Sequence, residues 1–305
     1  MDAYNLYAKL CLDSSEYEKG MKDAKSSAGG LTGLFEKVCS AASTVGKGIF
    51  TVAANVAKVS VAATTAGEAA VSALTTLAVN SYADYEQLVG GVETLYKDSA
   101  AKVQQYAADA YKTSGMTANA YMTTATSYAA ALVSSLGGDT ERAAELSNMA
   151  VSDMTDNWNK FGSSADSVQD AYNGFAKGQF QLLDNLKLGY GGTKEEMERL
   201  LDDANKLNAA QGKYTDYSID SFSDIILAIH DIQTEYDITG TTAKEASTTI
   251  SGSLSAAKAA WANLVTGVAD DNANFGQLIS NFVDSATTAA SNIIPRVEVA
   301  LNGAA

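Results

Sequence analysis

One histidine, His230, and two cysteines, Cys11 and Cys39, make up the chain's whole supply of the side chains best suited to nucleophilic and metal chemistry. Structural zinc needs four N or S ligands, and a His-based nucleophilic site needs both a nucleophile and an orienting group around the imidazole. His230 stands in the Ile-rich run from Phe222 to Tyr236 with no second His and no Cys near it in sequence, which assigns it a structural or surface place. The two thiols lie in unlike contexts. They could pair, but a chain that opens Met1-Asp2 with neither a basic nor an apolar leader is expected to stay in the cytoplasm at synthesis, where thiols remain reduced.

Three further runs imitate functional motifs. Gly189-Tyr190-Gly191-Gly192-Thr193-Lys194 resembles a phosphate loop, but there Lys must precede Ser or Thr so that the ammonium reaches phosphate and the hydroxyl reaches metal. Here Thr comes first, so a tight loop feeding a capped helix is the expectation. Asp270-Asp271-Asn272-Ala273-Asn274 is rich in oxygen yet lacks the later bidentate Glu of a calcium loop, and is expected to punctuate helices. Glu195, Glu196, Glu198, Asp202 and Asp203, interspersed with Arg199 and Lys206, form a solvated helix face. Paired carboxylates of a cell-wall hydrolase could hide among 36 acids, because spacing alone does not exclude them. With no site of this kind marked by spacing, no enzyme activity, cofactor or metal is expected.

The elements that would position such residues are easier to read. From Leu31 to Leu77 apolar residues recur in alternating steps of four and three: Leu31, Phe35, Val38, Ala42, Val45, Ile49, Val52, Val56, Val59, Ala63, Ala66, Ala70, Ala73 and Leu77. Glu36, Lys37, Lys47, Lys58 and Glu68, the charged residues of the stretch, all fall on the b, c and f faces of that heptad frame. A period of 3.5 predicts a left-handed supercoil, and at helical rise a rod of roughly 70 Å. Self-association is therefore expected through Leu31, Phe35, Val38, Val45, Ile49, Val52, Val56, Val59 and Leu77. The seam is Ala-rich in its second half, its e and g positions carry no charge, and Gly33, Gly46, Gly48 and Gly67 lower helicity, so the helix depends on packing. An intermolecular coil, a core helix of the same chain and a membrane-inserting segment over residues 48–80 all remain open, the last because Glu68 is the lone charge between Val59 and Val79.

Composition fixes the class as mostly α. The 305 residues are 46% hydrophobic and contain a single proline, Pro295. Residues 1–80 are electrically balanced, whereas 81–305 hold 29 acids against 14 bases, which places a boundary near Asn80. An acidic body repels phosphate backbones, so no specific nucleic-acid binding is expected. Four regions follow: a short strand at 3–13 plus a helix opened by Ser15 and Glu18 within 1–30, the long heptad helix at 31–80, an acidic helical domain at 81–291, and a tail at 292–305.

Within the acidic domain, Gly90-Gly91 is a candidate break, and helices are expected at 98–113, 117–136, 140–161 and 165–176. Gly137-Gly138 ends one helix and Asp139 caps the next, whose core stripe is Ala143, Leu146, Met149, Ala150, Met154, Trp158 and Phe161. After the apolar loop FQLLDNLKLGYGG, Thr193 with Glu196 opens a helix, Phe222 to Tyr236 marks another closed by Gly240, Thr242 with Glu245 opens the next through Val268, and a last runs from about Asn274 to Ser291.

The runs YADYEQLVGGVETLY (82–96), SLGGDTERAAELSNMAVSDMTDNWNKFG (135–162), AYNGFAKGQFQLLDNLKLGYGGTKEEMERLL (171–201), ITGTTAKEASTTISGSLSAAKAAWANLVTG (238–267) and NIIPRVEVALNG (292–303) together resemble the tail tape-measure proteins of long-tailed bacteriophages and prophages of Gram-positive hosts. The opening AYNLYAKLCLDSSEYEKGMKDA resembles how such proteins begin. The resemblance spans nearly the whole chain and lies in the ordered set rather than in any catalytic fingerprint. It implies a helical virion structural protein that lies in the tail lumen in several copies, sets tail length and leaves on DNA ejection. It also implies assembly in the host cytoplasm, with the tail tube, tail-tip and chaperone proteins as partners and the host membrane as a further candidate. Family members run to many hundreds of residues, so this chain is expected to be an N-terminal portion or a truncated prophage product.

Overall fold

Helix starts in this chain are fixed by short polar side chains that accept otherwise orphaned backbone N–H groups. Thr117 accepts from Ala120, Asp139 from Arg142, Ser164 from Ser167, Thr193 from Glu196 and Ser221 from Asp224, at 2.9 to 3.3 Å. In the computed structural model, residues 66–303 are described, with side chains over 76–296. The helices are α1 (Ala66–Tyr96), α2 (Ala100–Thr113), α3 (Ala118–Ser135), α4 (Thr140–Phe161), α5 (Ala165–Phe175), α6 (Lys194–Ala210), α7 (Phe222–Glu235), α8 (Thr241–Thr248), α9 (Ile250–Gly267) and α10 (Phe275–Gly303). The chain is mostly helical, and no strand occurs among the described residues. The strand expected at 3–13 and the seam from Leu31 to Val59 lie outside the described residues.

The chain divides into two compact units. Asp84–Asn263 forms one, and Met1–Ala83 with Leu264–Ala305 forms the other. The expected acidic domain at 81–291 overlaps the first unit, which ends at Asn263. In that unit α4 is the hub, packing against α2, α3, α5, α7 and α8, while α6 packs on α7. Tyr96, Met122, Leu132, Leu146, Met154, Tyr172, Phe175, Leu186, Met197 and Leu200 are fully buried around it. Each such side chain contributes roughly 1.5 to 3 kcal/mol of transfer free energy. In the second unit, Ser81 and Thr266 share a hydroxyl hydrogen bond of 2.6 Å, and Leu278 lies where a Cβ on Gly267 would stand.

Four local expectations are corrected. Gly90-Gly91 does not interrupt α1, which runs through both, because neither adopts a positive φ and the burial of Val92 and Tyr96 holds the last turns in place. Gly240 does not close the Phe222 helix. That helix ends at Glu235, and Gly240, at φ 81°, is instead the N-cap of α8. Thr242 with Glu245 does not open one helix through Val268: α8 stops at Thr248, Thr249 is extended, and its hydroxyl accepts the N–H of Gly252 at 3.0 Å to start α9. Gly252 is required there, because a Cβ would collide with the Glu245 backbone. Finally α10 continues past Ser291 and through Pro295 to Gly303.

Among the described residues no helix is long and apolar enough to cross a membrane.

Candidate functional site

The chemistry-bearing groups converge on α4, whose sequence from Asp153 to Asn159 looks like a solvent face. Its Ser147, Asp153, Thr155, Asp156 and Asn157 are all buried. A buried polar group costs about 1 to 3 kcal/mol when unpaired, so each of these demands a partner. Most find one on a different element.

Ser147 meets Tyr96 at the end of α1, with 2.5 Å between hydroxyls, and the Tyr96 hydroxyl donates to the Ala125 carbonyl of α3 at 3.0 Å. Burial pushes the Tyr96 phenol up to about 12, partly offset by the Ser147 bond, so it stays a neutral donor. Asn157 donates from Nδ2 to the Leu186 carbonyl at 2.8 Å, pinning the short 3-10 turn Leu183–Leu186. Asn159 donates to Glu245 of α8 at 2.8 Å.

Asp156 accepts the backbone N–H of Gly240 at 2.6 Å and of Thr242 at 2.7 Å, so a carboxylate from α4 caps α8. A negative group at a helix N-terminus is favoured both by the orphan N–H groups and by the helix dipole. Burial raises the Asp156 carboxyl above the ordinary range, and the two backbone bonds pull it back.

Asp153, 1% exposed, faces His230 of α7. The Nδ1 atom lies 2.9 Å from one carboxylate oxygen and 3.0 Å from the other, and the imidazole keeps 28% of its surface exposed. With Asp153 ionised, Nδ1–H donates to it. The Asp153 hydrogen bond raises the imidazole above its usual value, while desolvation raises the Asp153 carboxyl to about 6 against the pull of His230. The pair can hold and release a proton.

The other sequence candidates separate from this seam. Gly189–Lys194 is a loop feeding α6: Thr193 caps Glu196 N–H, the Glu196 carboxylate turns to Gly191 N–H at 2.9 Å, and Arg199 lies 4.3 Å over the Tyr190 ring while donating to the Gly189 carbonyl. Glu195, Glu198 and Asp202 are exposed on α6, and in the turn before α10 the Asp270 carboxylate accepts Asn272 N–H and its carbonyl accepts Ala273 N–H. Leu77 is 50% exposed in α1. Leu31, Phe35, Val38, Val45, Ile49, Val52, Val56, Val59, Cys11 and Cys39 lie outside the described residues. Among the described residues no group of three His, Cys, Asp or Glu could hold a metal.

Two open grooves mark the surface of the unit, one of about 430 Å³ bordered by Asp84, Gln87, Gly91, Asn119 and Thr123, the other of about 270 Å³ bordered by Asp170, Asn173, Lys177 and Gln179. Neither includes Asp153 or His230.

The sequence had named Met149, Trp158 and Phe161 as core and passed over Asp153, Asp156 and Asn157. The usable signal was their spacing: three polar residues at i, i+3 and i+4 on a helix that already carried a full apolar stripe. No protein-family model, curated protein or solved structure matches this chain.

Proposed function

We propose that the chain is a structural component of phage tail assembly, a scaffold and length ruler whose heptad region associates with other copies while the acidic helical body follows it. The observation that carries this is the ordered set of tape-measure-like runs from residue 82 to residue 303. The helical class agrees with it, as does an acidic balance that would not retain DNA in a lumen. The runs at 135–162 and 238–267 include α4 and α8, the elements that the polar seam ties together.

Deleting two heptads between Val45 and Val59 in the parent phage is expected to shorten tails by about 20 Å at helical rise. Unchanged tails, measured by electron microscopy over many virions, would remove the ruler role from this segment. Membrane insertion is favoured by a separate observation, the single charge between Val59 and Val79. Flotation of the full chain with liposomes distinguishes it: recovery in the lipid fraction supports insertion, and recovery at the bottom of the gradient opposes it.

A further inference from the structure

The connection from α7 through α8 is held by polar grips from α4, with α8 also lying against α2. Between Tyr236 and Thr249, Ile238 is the one large apolar side chain that is buried. Asp156 holds Gly240 and Thr242, Asn159 holds Glu245, and the Lys160 ammonium reaches the Asp237 carbonyl at 3.4 Å. The segment is bounded by backbone turns at Asp237, φ 53°, and Gly240, φ 81°. A segment with few buried apolar contacts belongs to the part of a fold that opens first.

The charges around this junction are one-sided. His230 faces Asp153 and Asp156 from α4 and stands beside Asp231 on its own helix. From α6, Asn208 donates to Asp231, and Tyr217 of the following loop does the same. Tyr172 of α5 lies near Asp153 and Asp156, while α3 packs on α7 through the edge-on pair Tyr128 and Phe222 and brings only tyrosines as ionisable groups. The imidazole is therefore the cation available to Asp153, which is otherwise flanked by Asp156 and Asp231.

We propose that the His230 and Asp153 pair is a proton-operated latch on the junction of α4, α7 and α8, closed while the imidazole carries its proton and loosened for residues 236–248 when that proton leaves. Losing the proton leaves Asp153, Asp156 and Asp231 together without a counter-charge, and mutual repulsion weakens the grip of Asp156 on the start of α8. The sign follows from linkage. His230 is raised in the folded chain, so its stabilisation is complete below its unfolded value of about 6.5 and is lost as pH climbs through the folded value. Asp153 is raised as well, so its ionisation on going from about pH 4 to beyond 6 acts in the same direction.

The test uses the full chain. Hydrogen-exchange protection of residues 236–248, corrected for intrinsic exchange, is expected to fall by up to about tenfold per pH unit at its steepest between pH 6 and 9. In His230→Gln the same protection should fall by less across the range, since only Asp153 is left to titrate. Equal falls in both proteins, or no fall in the parent, would overturn the latch. Should His230→Gln fail to fold, the lone imidazole gives a single resonance in the parent chain. Its midpoint above 6.5 supports the latch, and a midpoint at or below 6.5 refutes it.

Discussion

Asp156 of α4 accepts the backbone N–H of Thr242 at 2.7 Å, and so one helix supplies the N-terminal cap of another 86 residues away. Its other oxygen takes Gly240 N–H at the exposed turn before the helix, while the Thr242 bond is buried. Asp156→Ala is expected to lower unfolding free energy by about 1 to 3 kcal/mol, since the buried Thr242 donor is orphaned and the cap of α8 is lost. Asp156→Asn, which keeps one acceptor and turns a donor toward the other N–H, should lose about 1 to 3 kcal/mol. Urea unfolding of the full chain checks both, and a loss under 0.5 kcal/mol for the Ala variant would deny the cap.

Tyr96 and Tyr172 are both fully buried tyrosines, yet their hydroxyls differ. Tyr96 bonds Ser147 and Ala125, whereas Tyr172 OH lies beside the Gln233 amide without reaching hydrogen-bond geometry. Tyr96→Phe should cost about 1 to 2 kcal/mol, because the Ala125 carbonyl and the Ser147 hydroxyl lose a partner. Tyr172→Phe should be neutral or slightly stabilising. The two midpoints, compared in one denaturant series, decide the point; equal losses would contradict it.

Adjacent glycines before α6 should respond unequally. A Cβ at Gly192 would collide with the Gln181 carbonyl, while one at Gly191 would touch the Glu196 side chain at an ordinary 3.4 Å. Gly192→Ala is expected to destabilise by about 1 to 3 kcal/mol through backbone displacement, and Gly191→Ala to change little. Thermal unfolding of the two variants separates them.

Pro295 lies inside α10, where it removes an N–H from the helix ladder and crowds the carbonyl one turn back. Pro295→Ala should strengthen α10 by about 1 to 3 kcal/mol. Slower amide exchange over residues 291–303 is the expected result, and unchanged exchange would count against it.

Much of this fold was legible because local chemistry decided it. Asp139 after Gly137-Gly138, Thr193 before Glu196 and the apolar spacing of α4 and α7 are short-range signals, and the helices follow them. What the sequence did not show around α8 and His230 depends on where the backbone brings residues together. The cap of α8 comes from Asp156, the break before α9 comes from the close approach of Gly252 to Glu245, and the place of His230 is set by Asp153, 77 residues earlier. Asp156 and Asp153 stand 86 and 77 residues from their partners, beyond any window of sequence, while Gly252 lies only seven residues from Glu245 and its close approach is a matter of backbone path that residue types alone do not show. The candidate site was therefore nearly invisible, since buried Asp153, Asp156 and Asn157 carry the same letters as a solvated helix face.

The polar side chains of α4 also act as a registration key. Ser147, Asp153, Asp156 and Asn157 fit Tyr96, His230, the start of α8 and Leu186 in one alignment only. Sliding α4 by a turn, about 5.4 Å, would keep much of its apolar contact yet strand two carboxylates and an amide among hydrocarbon. An all-leucine helix could tolerate that slip; this one rejects it, and the neighbouring helices inherit a single way to assemble.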